Sequence, residues 1–269
     1  MIIVFCLLLA VLGLFAFRFW SNRQARMQAM ETPLSAHERK VIAEMVPITK
    51  KLPADLHKSF EEKVQLFRHQ IDFVGCNGLE VTEDMRLSIA AQACLLVVNS
   101  NAWYDNLRTV LIYPGAFKSR RMVQHGDLIL EEESVRLGES WSRGPVVLSW
   151  PHVEQGGLNY KDGSNLVLHE FAHQFDDLSG DTDGVPLLRS GQCYAEWDEI
   201  FVKGYEDHVR QVEKGRWTFL DDYGATGLEE FFAVSVEVFF EKPKQLQREE
   251  PQIYAQLSNL FGLDPVNWT

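Results

Sequence analysis

Two histidines stand four residues apart, with a glutamate beside the first, in His169-Glu170-Phe171-Ala172-His173. In an α-helix, residues four apart lie one above the other, so both imidazoles project from one face. That spacing lets two ring nitrogens reach one metal ion at about 2.0–2.1 Å, the distance of a zinc–histidine bond. Glu170, next to the first histidine, is not a ligand in this arrangement. It stands where a carboxylate can take a proton from a water that the metal activates. Leu166, Val167, Leu168, Phe171, Ala172 and Phe175 make the rest of the helix apolar, and Gly163-Ser164-Asn165 supplies an N-cap. A His-Glu-His cluster in so apolar a helix needs a compensating partner, because unpaired buried polar groups are costly. A zinc ion meets that need.

A catalytic zinc has a third protein ligand and an open position. The best candidate is Glu230, in a second apolar helix expected from Glu229 to Phe240 and capped by Thr226 or Gly227. Glu237 follows Glu230 by seven residues, two turns, and shares its face. Carboxylates are seldom buried unless paired or bound to metal. Glu230 is therefore expected as the ligand and Glu237 as the partner of a ligand histidine. Glu229, one position earlier, points about 100° away and is expected to face solvent.

These two helices need a scaffold. Residues 35–45 and 53–73 read as amphipathic helices, the first opening on a Ser35-Ala36-His37-Glu38 capping box. Asn77-Gly78 is a turn. Thr82 caps a helix to about Val98, whose run from Ile89 to Leu96 is apolar enough to be buried. Residues 109–113 and 146–150 read as short strands from their β-branched and aromatic content. Residues 177–185, with two glycines and several acids, form a loop after the histidine helix. Asp177, Asp181 and Asp183 lack the ligand spacing of an EF-hand, so a solvated turn is expected there rather than a calcium loop. Residues 192–213 form another helix.

Composition fits one enzyme domain: 269 residues, 46% hydrophobic and 24% charged, with neither repeat nor low-complexity tract. A formal net charge of −12 argues against a phosphate-binding face, so no direct nucleic-acid binding is expected. Cys6, Cys76, Cys94 and Cys193 show no Cys-x-x-Cys spacing and read as buried free thiols. The first 17 residues carry no side-chain charge, and Arg18, Arg23 and Arg26 follow. No basic segment precedes the apolar run, which favours an uncleaved anchor over a signal peptide. The arginines on its carboxyl side place the body of the protein in the cytoplasm, as a single-pass protein of the inner membrane. The expected division is a transmembrane anchor over 1–20, a juxtamembrane linker over 21–34 and a peptidase domain over 35–269.

The segments Val110-Leu111-Ile112-Tyr113-Pro114, Gly138-Glu139-Ser140-Trp141, Gly144-Pro145-Val146-Val147-Leu148-Ser149-Trp150, 169–176 and 223–240 together resemble the Mlc titration factor A family of zinc peptidases. The resemblance runs from about Ser35 to Leu263. It implies a gluzincin, an α+β, mainly helical fold with a zincin-type metallopeptidase domain and a small edge sheet, similar in its core to anthrax lethal factor. It implies one zinc ion held by His169, His173 and Glu230, with Glu170 as the catalytic base. Tyr223, seven residues before the glutamate ligand, falls on the position that stabilises the oxyanion. Val234 stands where lethal factor has a second acid, leaving Glu237 or Asp176 to partner a ligand histidine. Residues 145–150, just before the histidine helix, would form the strand edge that pairs with extended substrate. The implied activity is peptide hydrolysis, of aminopeptidase or endopeptidase type, on a peptide or protein substrate. The family's name brings a second reading: a binding factor that sequesters a transcriptional repressor, with peptidase activity secondary.

Overall fold

A computed structural model describes residues 2–125, 128–136, 138–140 and 144–268; the side chains of most of residues 1–22 and of residues 117–143 lie outside that description. The chain opens with α1 (Ile2–Glu31). Ala25, Arg26, Ala29 and Met30 are half-buried at helical spacing, so one face of this helix packs on the helix α3 described below. Arg26 pairs with Asp105 at 3.2 Å. Residues 21–31, expected as part of a linker, therefore continue α1. The expected anchor over 1–20 falls mainly on residues whose side chains are not described. Among the described residues no helix is long and apolar enough to cross a membrane, and the anchor is not supported.

The capping box at Ser35 forms as expected. Glu38 N–H donates to Ser35 Oγ at 3.2 Å, and Ser35 N–H donates to Glu38 Oε2 at 2.7 Å, starting α2 (Ala36–Met45). Two 3-10 turns lead to α3 (His57–Gln70). The helix expected over 53–73 stops early because residues 72–75 pair with another strand, forming β1 (Asp72–Gly75). Asn77 and Gly78 turn the chain with φ of 52° and 81°. Thr82 then caps α4 (Glu83–Val97), accepting from Met85 N–H at 3.2 Å. From Leu87 to Val97 every residue of α4 is buried, so this helix is the spine of the core.

The strands are β2 (Thr109–Tyr113), β3 (Phe117–His125), β4 (Leu128–Arg136), β5 (Gly138–Ser140) and β6 (Val146–Ser149). One sheet has the order β1-β2-β6-β5, with β1, β2 and β6 parallel and β5 antiparallel to β6; among the described residues β3 and β4 pair only with each other. The strand expected as the open edge is thus interior. β6 is hydrogen-bonded on both sides and all four of its residues are buried, as strands in a covered parallel sheet are. Among the described residues the edges of this sheet are β1 and β5, and β5 lies against the histidine helix.

The remaining helices are α5 (Trp150–Leu158), α6 (Leu166–Asp176), α7 (Tyr194–Glu213), α8 (Leu228–Glu241), α9 (Pro243–Glu249) and α10 (Pro251–Phe261). The fold is mainly helical. α4 packs on α2, α3, α5 and α6, and α6 in turn packs on α8. Cys76, Cys94 and Cys193 are free, but only Cys94 is buried as expected, Cys76 being half-buried and Cys193 exposed; burial of Cys94 pushes its thiol well above the ordinary range.

Candidate metal centre

α6 begins where Asn165 turns its side chain back on the helix, its Oδ1 accepting from Leu168 N–H at 3.0 Å. Val167, Leu168, Phe171, Ala172 and Phe175 are buried, which fixes the rotation of the helix and leaves the histidines on the face toward α8. The His169 and His173 rings meet edge-on, 4.9 Å between centroids. α8 starts at the Gly227 cap and carries Glu230 in its first turn, opposite the two rings.

Glu230 Oε2 lies 2.9 Å from His169 Nε2 and 3.2 Å from His173 Nε2. Ligand atoms of His169, His173 and Glu230 lie within 4.8 Å of one another, and these three form the metal-capable group found among the described residues. Burial works against the charge on Glu230, but the hydrogen bonds to the two histidines outweigh it and hold the carboxyl well below its usual range. Burial likewise opposes charge on His169, and its bonds to Glu230 and Glu237 carry its pKa well upward. His173 Nδ1 is buried without a hydrogen-bond partner among the described residues. Two imidazoles and a carboxylate converging on one point are a donor set of catalytic metal sites, so these residues fit a metal ion.

Glu237 occupies the far side of His169. Its Oε1 lies 2.9 Å from His169 Nδ1, and its Oε2 accepts from Asn165 N–H. Of the two acids considered for this contact, Glu237 makes it. Asp176 instead accepts from Gly184 N–H at 2.7 Å, in the loop after α6. Burial pushes Asp176 up to about 7, and its Oδ1 is buried without a hydrogen-bond partner among the described residues. Glu229, expected in solvent, is half-buried yet stands apart from the metal-capable group.

Tyr223 lies in a short 3-10 turn (Asp222–Ala225) before α8. Asp221 accepts from its N–H at 2.8 Å, and Tyr223 Oη donates to Glu230 Oε1 at 3.3 Å. Its ring is exposed and sits 5.9 Å from that of His169. Glu170, on α6, is buried, with 5% of its surface exposed.

Glu241 and the link from Asn165 to α8 escaped the sequence reading. Asn165 Nδ2 donates to Glu241 Oε1 at 3.1 Å, and Gly163 N–H donates to Glu241 Oε2 at 2.9 Å. Burial pushes Glu241 up to about 8. The available signal was an acid one turn beyond Glu237 in an otherwise apolar helix.

A helix-borne histidine pair completed by a glutamate from a second helix is what metallopeptidases use, and the relationship extends along the whole chain. Residues 18–262 match the family model described as glucose-regulated metallo-peptidase M90, and the chain belongs to that family. It is 37% identical over 269 residues to the uncharacterized protein slr2042 of Synechocystis, covering 98% of this chain and 97% of that protein. It is 30% identical to Mlc titration factor A of Klebsiella pneumoniae over 227 residues, 82% of this chain and 84% of that protein. Mlc titration factor A of Cronobacter sakazakii is 28% identical over the same shares. These relatives bear out the resemblance drawn from the sequence motifs.

Proposed function

We propose that this metallopeptidase is a zinc enzyme that cleaves peptide bonds, with His169, His173 and Glu230 holding the ion and Glu170 as the base. The observation that carries the reading is the convergence of the three ligand atoms within 4.8 Å, with Glu170 on the same helix. When bound, zinc supplies Lewis acidity, which eases deprotonation of water and polarises a carbonyl.

This chain's own groups do the rest. Glu170 accepts the proton of the attacking water and later passes it to the departing amine. Tyr223 Oη, 3.3 Å from a ligand carboxylate oxygen, turns to donate to the oxyanion that develops on the scissile carbonyl. Glu237, 2.9 Å from His169 Nδ1, keeps that nitrogen protonated, so that Nε2 presents its lone pair to the metal. Substrate lies extended along β5, where main-chain pairing would hold a peptide with little demand on its side chains. Every side chain assigned to metal binding or proton transfer lies beyond residue 164, outside the first 20 residues.

The test is hydrolysis of a peptide library by the zinc-loaded protein, before and after chelation. Free and acetylated amino termini in the library separate aminopeptidase from endopeptidase action. Absence of chelator-sensitive cleavage across the library would sink the reading. The name Mlc titration factor A favours a second reading, in which the chain binds a transcriptional repressor and cleavage is secondary. On that reading a Glu170→Gln protein keeps its full cellular role.

A further inference from the structure

An asparagine that merely caps a helix needs one side-chain bond, the one Asn165 makes to Leu168 N–H. Asn165 makes more. Its Nδ2 reaches 76 positions along the chain to Glu241 Oε1 at 3.1 Å, and its own N–H donates to Glu237. Glu241 takes a second donor, Gly163 N–H, at 2.9 Å. Asn165 is 4% exposed and Glu241 7%. The site for Asn165 is also shaped from a third side. A Cβ at Gly156 of α5 would come within 3.1 Å of its Cα and Cγ, so a glycine there leaves the space the asparagine fills.

Glu237 and Glu241 are one turn apart on α8, and Asn165 lies one turn before His169 on α6. The two acids therefore grip the start of the helix that carries the histidines, from the helix that carries Glu230. A buried carboxyl group is costly without hydrogen-bond partners, and Asn165 and Gly163 supply two to Glu241. We propose, on the metal reading above, that Asn165 and Glu241 are a positioning pair, setting His169 and Glu237 in the register that zinc binding requires. Neither residue touches the metal. Both act through the backbone N–H that Asn165 gives to Glu237, and through the rotation that the pair imposes on α6.

The test is zinc affinity of the full chain, read by competition with a chromophoric chelator. Asn165→Asp keeps the cap but removes the amide donor that faces Glu241 Oε1. Glu241→Gln leaves one acceptor oxygen for two donors and sets an amide nitrogen against Asn165 Nδ2. Each should weaken zinc by about 10–100-fold, the usual cost of losing support behind a metal ligand. The double variant restores the contact with its polarity reversed. The new amide nitrogen at position 241 can donate to the new carboxylate at position 165, while the amide oxygen still accepts from Gly163. Its affinity should return close to that of the parent. Asn165→Ser, which caps but cannot reach Glu241, should weaken zinc while keeping the helical circular-dichroism signal, and it serves if a charged variant fails to fold. Single variants that bind zinc like the parent, with only a lower unfolding temperature, would overturn the proposal. So would a double variant no tighter than either single. A parent protein that binds no zinc at all would overturn the metal reading itself, and is told apart by that first measurement.

Discussion

Glu230 and Glu237 stand two turns apart on one face of α8 and meet opposite nitrogens of the same ring, each 2.9 Å from His169. The ring is thereby fixed at both ends: Glu230 meets Nε2, the nitrogen proposed to face the metal, and Glu237 meets Nδ1. A carboxylate behind a ligand histidine selects the tautomer and raises its basicity, so the two acids have different duties although their sequence settings look alike.

Glu170→Gln keeps the shape of the side chain and removes the base. Turnover should fall by about 10²–10⁴-fold, the range for one general acid–base group, while zinc content stays at that of the parent. Peptide hydrolysis and metal analysis on the same preparation check it. Parent-level cleavage by the zinc-loaded variant would refute Glu170 as the base.

Glu230→Ala should lose both zinc and activity, whereas Glu229→Ala should hold zinc as the parent does. The two carboxylates are adjacent in sequence, but only Glu230 shares a point with the two Nε2 atoms. Metal analysis of the two purified variants separates them, and zinc loss in Glu229→Ala alone would reverse the assignment.

Tyr223→Phe removes one hydroxyl from an exposed ring. If that hydroxyl serves the oxyanion, kcat should drop by about 10²–10³-fold, the effect of deleting one such donor. KM and zinc content should change little. A large rise in KM with unchanged kcat would make Tyr223 a binding residue instead.

Chelation should lower thermal stability, because an ion that binds only the folded chain stabilises it. At free zinc about 100-fold above Kd the contribution is about 2.7 kcal/mol. Scanning calorimetry with zinc and with chelator measures it. Glu230→Ala should show no such difference.

Asp176 should make stability depend on pH. Burial raises its folded pKa to about 7 from 3.8, so the folded state holds its proton more tightly than the unfolded chain. Its stabilising contribution is complete below about pH 4 and is lost as pH rises through about 7. Asp176→Asn should flatten that decline between about pH 4 and 7 in denaturant titrations. An unchanged slope would remove Asp176 from the account.

Local spacing determined much of the site before any packing was known. Histidines four apart and glutamates seven apart must share helix faces, and Ser35, Thr82 and Asn165 each cap the helix that follows them. Those properties follow from a periodicity of about 3.6 residues and from side chains reaching their own backbone. Contacts between distant segments were not legible in the same way. That β6 is interior rather than an edge depends on both β2 and β5 pairing with it. That α1 continues through residues expected as a linker depends on α3 covering one of its faces. Glu237 was expected to support a histidine and Asp176 stood as the alternative, because helical phase says which way an acid points but not what stands opposite. Only the packing of α6 on α8 brings Glu237 to His169 and turns Asp176 toward Gly184. The same packing carries Asn165 to Glu241, 76 positions away, a contact that no period within either helix encodes.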